Sequence, residues 1–445
     1  MDSPSMAVVD RIASIEWYRR NRRRSAGIFA SVRPDAYYDR PISLRNPICF
    51  YEGHLPAFSV NTLVRRGLGE KGIDSRLERV FERGIDPEDA CGVPGSTEAG
   101  WPDRGAILGY AEEADRLVER AIEEKDIERE DNPVLARGLA LFTVLEHEPM
   151  HQETLAYMWH RLPYEKKIRP AGVRPPVTGG EPPAPERVRI PAGRATLGAE
   201  RDSIPFGWDN EFPFRVVDVP AFEIDVYDVT NRDFLEFCEA GGYSREDLWS
   251  PEGWQWRVES GTEHPLFWER ENGRWLWRGM WERVPLPPAW PVYVSQAEAS
   301  AYARWRGGRL PTEAQFHRAA YGTPEGLERS YPWGEEAPDE SRGNFDFRRP
   351  DPVPVGSQPA GSSAWGVQDL VGNGWEWTST LFGGFPGFEP MASYPVYSTD
   401  FFDGKHFVMK GASPVTAKEL LRRTFRNWFR GNYPYVYATF RCVSP

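Results

Sequence analysis

His147 and His151 stand four residues apart in Leu145-Glu-His-Glu-Pro-Met-His-Gln-Glu153, with Glu153 two positions further on. At 3.6 residues per turn, positions i and i+4 share one helix face, and neutral imidazole is the commonest protein ligand for a first-row metal. The pair therefore has the geometry of a bidentate metal anchor. A surface pair or two satisfied core histidines would show the same spacing, so a third ligand has to decide the matter. The chain holds seven histidines: His54, His147, His151, His160, His264, His317 and His406. His54 is the best candidate, because Phe50-Tyr-Glu-Gly-His-Leu-Pro-Ala-Phe58 would bury an imidazole that a metal could then satisfy. His160 follows His151 by nine residues and points away, and Glu153 falls on another face, which gives it a supporting or structural role. Three histidines suit zinc, iron, nickel and copper alike, so the spacing does not choose the metal.

These side chains need a scaffold, and the residues around them read as helices. Leu135, Leu139, Leu141, Leu145, Leu155 and Met158 put an apolar stripe on the segment from Asn132 to Leu162, which opens on Asn132-Pro133 and is expected to form one long helix. Pro149 lies between the two histidines, where it removes a backbone donor and is expected to kink or loosen that helix. Further helices are expected over Val8 to Phe29, His54 to Leu68, and Arg104 to Lys125, the last with a 3.6-period stripe of Ile107, Tyr110, Ala111, Ala114, Leu117, Val118 and Ala121. A four-helix bundle with a metal between its helices follows from this set.

The remainder has another character. A proline-rich stretch from Arg169 to Pro185 reads as an extended linker, and 15 of the 18 tryptophans lie beyond residue 200, among glycines, prolines and short apolar runs. That pattern predicts an irregular domain held together by aromatic packing, with isolated helices over Ser295 to Arg306 and Thr312 to Ala320. The expected division is 1–168, a linker over 169–187, and 188–445.

The 445 residues allow two or three domains, and 54 basic against 66 acidic side chains give a net charge of -12, which argues against nucleic acid as a partner. The one basic cluster, Arg19, Arg20, Arg22, Arg23 and Arg24, reads as a solvated helix end. No apolar run reaches the length of a membrane span and no signal-type apolar region opens the chain, so no membrane partner and a cytoplasmic location are expected. Cys49, Cys91, Cys238 and Cys442 are far apart with no CxxC, and are expected to be reduced thiols.

Val229-Thr-Asn-Arg-Asp-Phe234, Pro291-Val-Tyr-Val-Ser295, Gly308-Arg-Leu-Pro-Thr-Glu-Ala314, Tyr331-Pro-Trp-Gly334, Val371-Gly-Asn-Gly-Trp-Glu-Trp-Thr378 and Phe440-Arg-Cys442 occur in the order seen in formylglycine-generating-enzyme-like domains. With the H-x3-H-x-E helix and His54 ahead of it, almost the whole chain resembles the ergothioneine-biosynthesis sulfoxide synthases and their relatives. The resemblance implies a DinB-like four-helix bundle followed by an irregular α+β formylglycine-generating-enzyme-like (C-type-lectin-like) domain. It also implies an iron(II) site on His54, His147 and His151, with oxygen as co-substrate and hercynine, the betaine of histidine, as substrate. In that family oxygen activation drives carbon-sulfur, or in selenoneine synthases carbon-selenium, bond formation at the imidazole.

Arg426-Asn-Trp-Phe429 resembles the family stretch whose Asn and Trp hold the betaine, which implies substrate contacts from Asn427 and Trp428. Trp428 could face a trimethylammonium through cation-π attraction, and the Asn427 amide could bind a carboxylate or imidazole. Relatives that use gamma-glutamylcysteine carry an Asp after the Trp and an Arg-x-x-Arg pair in a bundle-side loop. Here Phe429 follows Trp428, Ala90-Cys-Gly-Val-Pro-Gly-Ser96 has no arginine pair, and Met150 replaces a Gln before the second histidine. A donor without the glutamyl carboxylate is implied, either a selenosugar, as in the selenoneine synthases and preferred here, or the thiol of free cysteine. The family's catalytic tyrosine has two candidate counterparts, Tyr394 and Tyr397, and a structural role is the alternative for each. Other readings are a true formylglycine-generating enzyme, disfavoured because Cys442 is the one cysteine in the last hundred residues, a zinc-dependent thiol transferase on the DinB scaffold, and a non-catalytic metal-containing binding protein.

Overall fold

The computed structural model describes residues 9–82 and 101–445. The chain divides into two compact units, Met1–Ala171 with Pro390–Pro395, and Gly172–Glu389 with Val396–Pro445. Among the described residues, no helix is long and apolar enough to cross a membrane.

In the first unit, short acidic side chains start the helices. The Asp10 carboxylate accepts from the Ala13 N–H to open α1 (Arg11–Ala30), Asp74 accepts from Arg76 and Leu77 to open α3 (Ser75–Val80), and Asp103 accepts from Ala106 to open α4 (Arg104–Glu124). Between them α2 (Ile48–Ser59) begins directly after Pro47, six residues ahead of the expected start at His54, and runs on as a π-helical segment over Val60–Gly67. The expected stripe of α4 is buried at Ile107, Tyr110, Ala111, Ala114, Val118 and Ala121. Each such large aliphatic side chain contributes roughly 1.5–3 kcal/mol when withdrawn from water.

The long helix expected from Asn132 is shorter. Arg137 (φ 56°) and Gly138 (φ 69°) both take left-handed backbone conformations, which no continuous right-handed helix tolerates, so α5 is Leu139–Arg161. It runs through Pro149 without ending. Pro149 has no N–H for the Leu145 carbonyl one turn back, and the side-chain amide of Asn21 on α1 donates to that carbonyl instead, at 2.8 Å. α1 packs against α5 and α4, and α2 against α4 and α5. The arginine cluster is not a solvated helix end: it lies in the middle of α1, where Arg22 pairs with Asp115 (2.8 Å) and Glu148 (3.0 Å) and Arg19 with Glu119. Glu148 is 2% exposed, and its burial against Arg22 is what draws that guanidinium inward.

The second unit is a mixed α+β structure. Its largest sheet has four strands in the order Asn427–Arg430, His406–Ala412, Gly374–Leu381 and Ala438–Thr439, antiparallel except for the last pair. Four short helices follow the order of the chain: α6 (Asn231–Glu239), α7 (Pro251–Ser260), α8 (Gln296–Trp305) and α9 (Glu313–Tyr321). Capping boxes open α6, α8 and α9 on Thr230, Ser295 and Thr312, so the two helices read from the sequence here start within a residue of the expected positions. The proline-rich stretch packs onto this unit, with the Trp290 indole donating to the Val177 carbonyl and Arg349 to that of Pro175. At the centre Arg441 is fully buried, its guanidinium donating to Glu376 at 2.7 and 2.8 Å and to Asp228 at 3.0 Å.

Candidate metal centre

His54 comes from α2, and His147 and His151 come from successive turns of α5. All three are buried, and their candidate ligand atoms lie within 4.8 Å of one another. The ring centroids are 4.4 Å apart for His147 and His151, 5.1 Å for His54 and His147, and 4.9 Å for His54 and His151. Glu153 and His160 are buried on the same helix but outside this converging set.

The hydrogen bonding fixes one tautomer. His54 Nδ1 is 2.7 Å from the Phe81 carbonyl oxygen, which has no proton to give, so Nδ1 carries the hydrogen and Nε2 keeps its lone pair. That Nε2 is buried and has no hydrogen-bond partner, and the same holds for Nε2 of His147 and Nδ1 of His151. Burial holds the His54 imidazole down at about 4 against its ordinary value, with the Phe81 carbonyl pulling weakly the other way. His147 and His151 lie well below the ordinary range, first through burial and then through neighbouring charge: His151 and His54 for the former, His54 and Arg45 for the latter. Three buried imidazoles held in the neutral form, each with an unsatisfied ring nitrogen and with candidate ligand atoms within 4.8 Å of one another, are what a divalent metal would satisfy. The residues present fit such an ion.

An aromatic shell surrounds them. Phe58 stacks on His147 with centroids 3.5 Å apart and planes at 8°, Phe50 stacks on His54 at 5.2 Å, and Tyr51 lies 5.8 Å from His151. The segment 390–395 belongs to this unit and brings Tyr394 to 6.4 Å from the His147 ring and 5.3 Å from Phe58. It is held by a 2.7 Å hydrogen bond between the Ser393 and Thr143 hydroxyls and by Arg66, which donates to the Ser393 carbonyl.

The other named residues gather in the second unit. Trp428 stacks on Phe382 at 4.0 Å, with Tyr397 edge-on at 5.2 Å and Phe401 at 5.6 Å. Tyr397 itself stacks on Trp208 at 3.9 Å, so the two candidate tyrosines have separate surroundings, Tyr394 beside the histidines and Tyr397 among tryptophans. The Asn427 amide oxygen accepts from the Trp428 N–H at 2.9 Å, which leaves its NH2 end as the donor. Phe429 stacks on Tyr433 at 5.1 Å. The loop Ala90 to Ser96 and Cys91 lie outside the described residues.

Two supports of this strand were not foreseen. Arg426 forms a buried fork with Glu313 at 2.9 and 3.1 Å and donates to the carbonyls of Asn210 and Gly383. Lys410, pushed down to about 8 by burial, donates to the carbonyls of Arg423 and Phe425. Arg426 and Glu313 each sit inside a motif quoted above, and an unlike-charged pair shared between two motifs was the available signal. Cys442 is buried and its thiol is raised well above the ordinary value by that burial, the opposite of a reactive cysteine.

Residues 175–445 match the sulfatase-modifying factor enzyme 1-like domain family, FGE-sulfatase. The chain is 38% identical to the hercynine oxygenase of Mycolicibacterium smegmatis over 318 residues, which are 69% of this chain and 71% of that protein. It is 43% identical to the hercynine oxygenase of Mycobacterium tuberculosis over 242 residues, 54% of this chain and 55% of the other. Ergothioneine biosynthesis protein 1 of Neurospora crassa is 29% identical over 489 residues, covering 91% of this chain and 54% of its own, so the chain spans about half the length of that relative.

Proposed function

The chain belongs to the sulfatase-modifying factor enzyme 1-like domain family, with hercynine oxygenases among its relatives, and on that premise we propose that it is a non-haem iron(II), oxygen-dependent enzyme acting on hercynine. The observation that carries this reading is the set of three buried histidines whose candidate ligand atoms lie within 4.8 Å of one another, each with a ring nitrogen that has no hydrogen-bond partner. In this reading the helical unit is DinB-like, His54, His147 and His151 would hold the iron, and iron(II) bound there would supply a centre at which oxygen serves as the oxidant that removes the two hydrogens when a soft donor atom is joined to the imidazole carbon.

The protein's own residues then have separable tasks. Asn427 offers an amide donor to the carboxylate or imidazole of hercynine, and Trp428, braced by Phe382 and Tyr397, offers an aromatic surface to the trimethylammonium. Tyr394, beside His147, holds a phenolic proton within the aromatic shell and is the proton donor in this reading, while Tyr397 positions Trp428. The donor molecule is a selenosugar, joined through selenium to the imidazole ring. Phe429 supports that choice, since it presents a ring stacked on Tyr433 where a charged donor would require a charged partner. The second reading, a sulfoxide synthase joining the sulfur of cysteine to hercynine, draws on the ergothioneine relatives.

Anaerobically reconstituted iron(II) protein is incubated with hercynine and, in parallel, a 1-selenosugar, cysteine or gamma-glutamylcysteine, oxygen is admitted, and product masses are read. A hercynyl-selenium adduct from the selenosugar alone is expected. A sulfoxide from cysteine would move the protein to the second reading, and no oxygen-dependent adduct with any donor would overturn both.

A further inference from the structure

The bond from His54 Nδ1 to the Phe81 carbonyl depends on a close approach that the residue next to His54 permits. Phe81 follows α3 and is fully buried, with its ring lying directly over Gly53. A Cβ at position 53 would come within 2.4, 2.5 and 2.6 Å of three ring carbons, closer than any real side chain sits, so only glycine admits the ring there. The ring is held from other sides by Phe50 (6.0 Å) and by Trp101, which stacks on it at 6.3 Å. The backbone leading to it is pinned as well. Glu78 accepts from the N–H groups of Ile73 and Asp74 and lies 3.5 Å from Arg65, Asn61 donates to the Glu78 carbonyl, and the Phe81 N–H bonds the Leu77 carbonyl.

We propose that Gly53 and Phe81 form a latch that positions His54 for the metal: the notch at Gly53 seats the Phe81 ring, and the seated residue aims its carbonyl at His54 Nδ1, fixing both the tautomer and the rotation of the imidazole. The proposal rests on the reading of the three histidines as a metal site, but not on what reaction that site performs. A ligand imidazole anchored through its other nitrogen is preorganised, and loss of such an anchor lowers metal affinity by about 10- to 100-fold. Neither Gly53 nor Phe81 is itself a ligand, so both are positioning residues.

The test is metal affinity, measured without turnover. Metal-free wild type, Gly53→Ala, Phe81→Ala and the double variant are titrated anaerobically with Co(II), following its visible bands, and with Fe(II) in competition with a chelator. Circular dichroism and the unfolding midpoint of each metal-free protein report the fold. Both single variants are expected to lose about 10- to 100-fold in affinity with altered Co(II) bands. The double variant is expected to bind no worse than Phe81→Ala, because the ring that a Cβ would strike is gone. Wild-type affinity and spectrum in a folded Gly53→Ala protein would overturn the latch. Should Gly53→Ala fail to fold, unchanged affinity in Phe81→Ala overturns it equally. A wild type that takes up neither ion overturns the metal site and the latch together, whereas normal metal binding without hercynine turnover strikes only the proposed reaction.

Discussion

The Asn21 amide and Pro149 form a compensating pair, and a double-mutant cycle exposes the compensation. Pro149 deprives the Leu145 carbonyl of its helical donor, and Asn21 supplies one at 2.8 Å in a buried setting. Asn21→Ala leaves that carbonyl unsatisfied, which costs about 1–3 kcal/mol. The Asn21 side-chain oxygen is itself buried without a partner, so its removal returns part of this, and the net expectation is a loss of about 1–2 kcal/mol. For a unit of this size that corresponds to a drop of about 2–4 °C in unfolding midpoint per kcal/mol. Pro149→Ala restores an N–H at the right place and removes a ring from a helix interior, so it raises stability on its own. In the Pro149→Ala background the helix satisfies Leu145, and Asn21→Ala should then cost about 1 kcal/mol less than in the wild type. All four metal-free proteins are compared by thermal unfolding. An equal cost of Asn21→Ala in both backgrounds would refute the account of how α5 survives Pro149.

The three histidines have folded values below the unfolded value of about 6.5, so between there and about 4 the unfolded chain binds protons that the folded one does not. Metal-free stability should therefore fall as pH drops through that window, by up to about 1.4 kcal/mol per pH unit per histidine, and a flat denaturation profile from pH 6.5 to 4 would contradict it. His147→Ala or His151→Ala should abolish stoichiometric Fe(II) uptake in equilibrium dialysis while the metal-free fold persists; full retention of iron would remove the centre. Tyr394→Phe should lower kcat for hercynine by about 10²-fold with little change in hercynine affinity, and Tyr397→Phe should leave kcat within a few-fold; the reverse order in steady-state kinetics would exchange their roles. Arg426→Lys cannot reproduce the two-pronged bond to Glu313 and should destabilise the second unit by about 2–4 kcal/mol in denaturant unfolding; a cost below about 0.5 kcal/mol would show that the fork contributes little to the stability of that unit.

Periodicity carried the helices a long way and failed at identifiable residues. The stripe on α4 and the i, i+4 histidine pair were legible because each depends only on residues of one helix. The start of α5 was not, because apolar spacing continues through Leu135 while the break is made by the left-handed backbone at Arg137 and Gly138. Pro47, the residue that caps the start of α2, marks that boundary in the sequence, but the apolar run around His54 masks it. Arg22 looked like surface because five arginines in six residues suggest a solvated face, yet its partner Glu148 is 126 residues away on another helix. The anchor of His54 had no sequence signal at all, since a main-chain carbonyl is the same at every residue. Convergence of His54 with the α5 pair was readable as an expectation from burial and composition, while the separation of Tyr394 from Tyr397 required coordinates.

The hydroxyls of Thr143 and Ser393, joined by one hydrogen bond, are 250 residues apart in sequence. The helical unit is thus closed by a segment synthesised long after its helices. On the ribosome the three histidines emerge early, and Tyr394 arrives only when most of the second unit has been made. The three converging histidines are thus complete in a chain that still lacks Tyr394, so under the proposed function any ion they held would arrive before that tyrosine does.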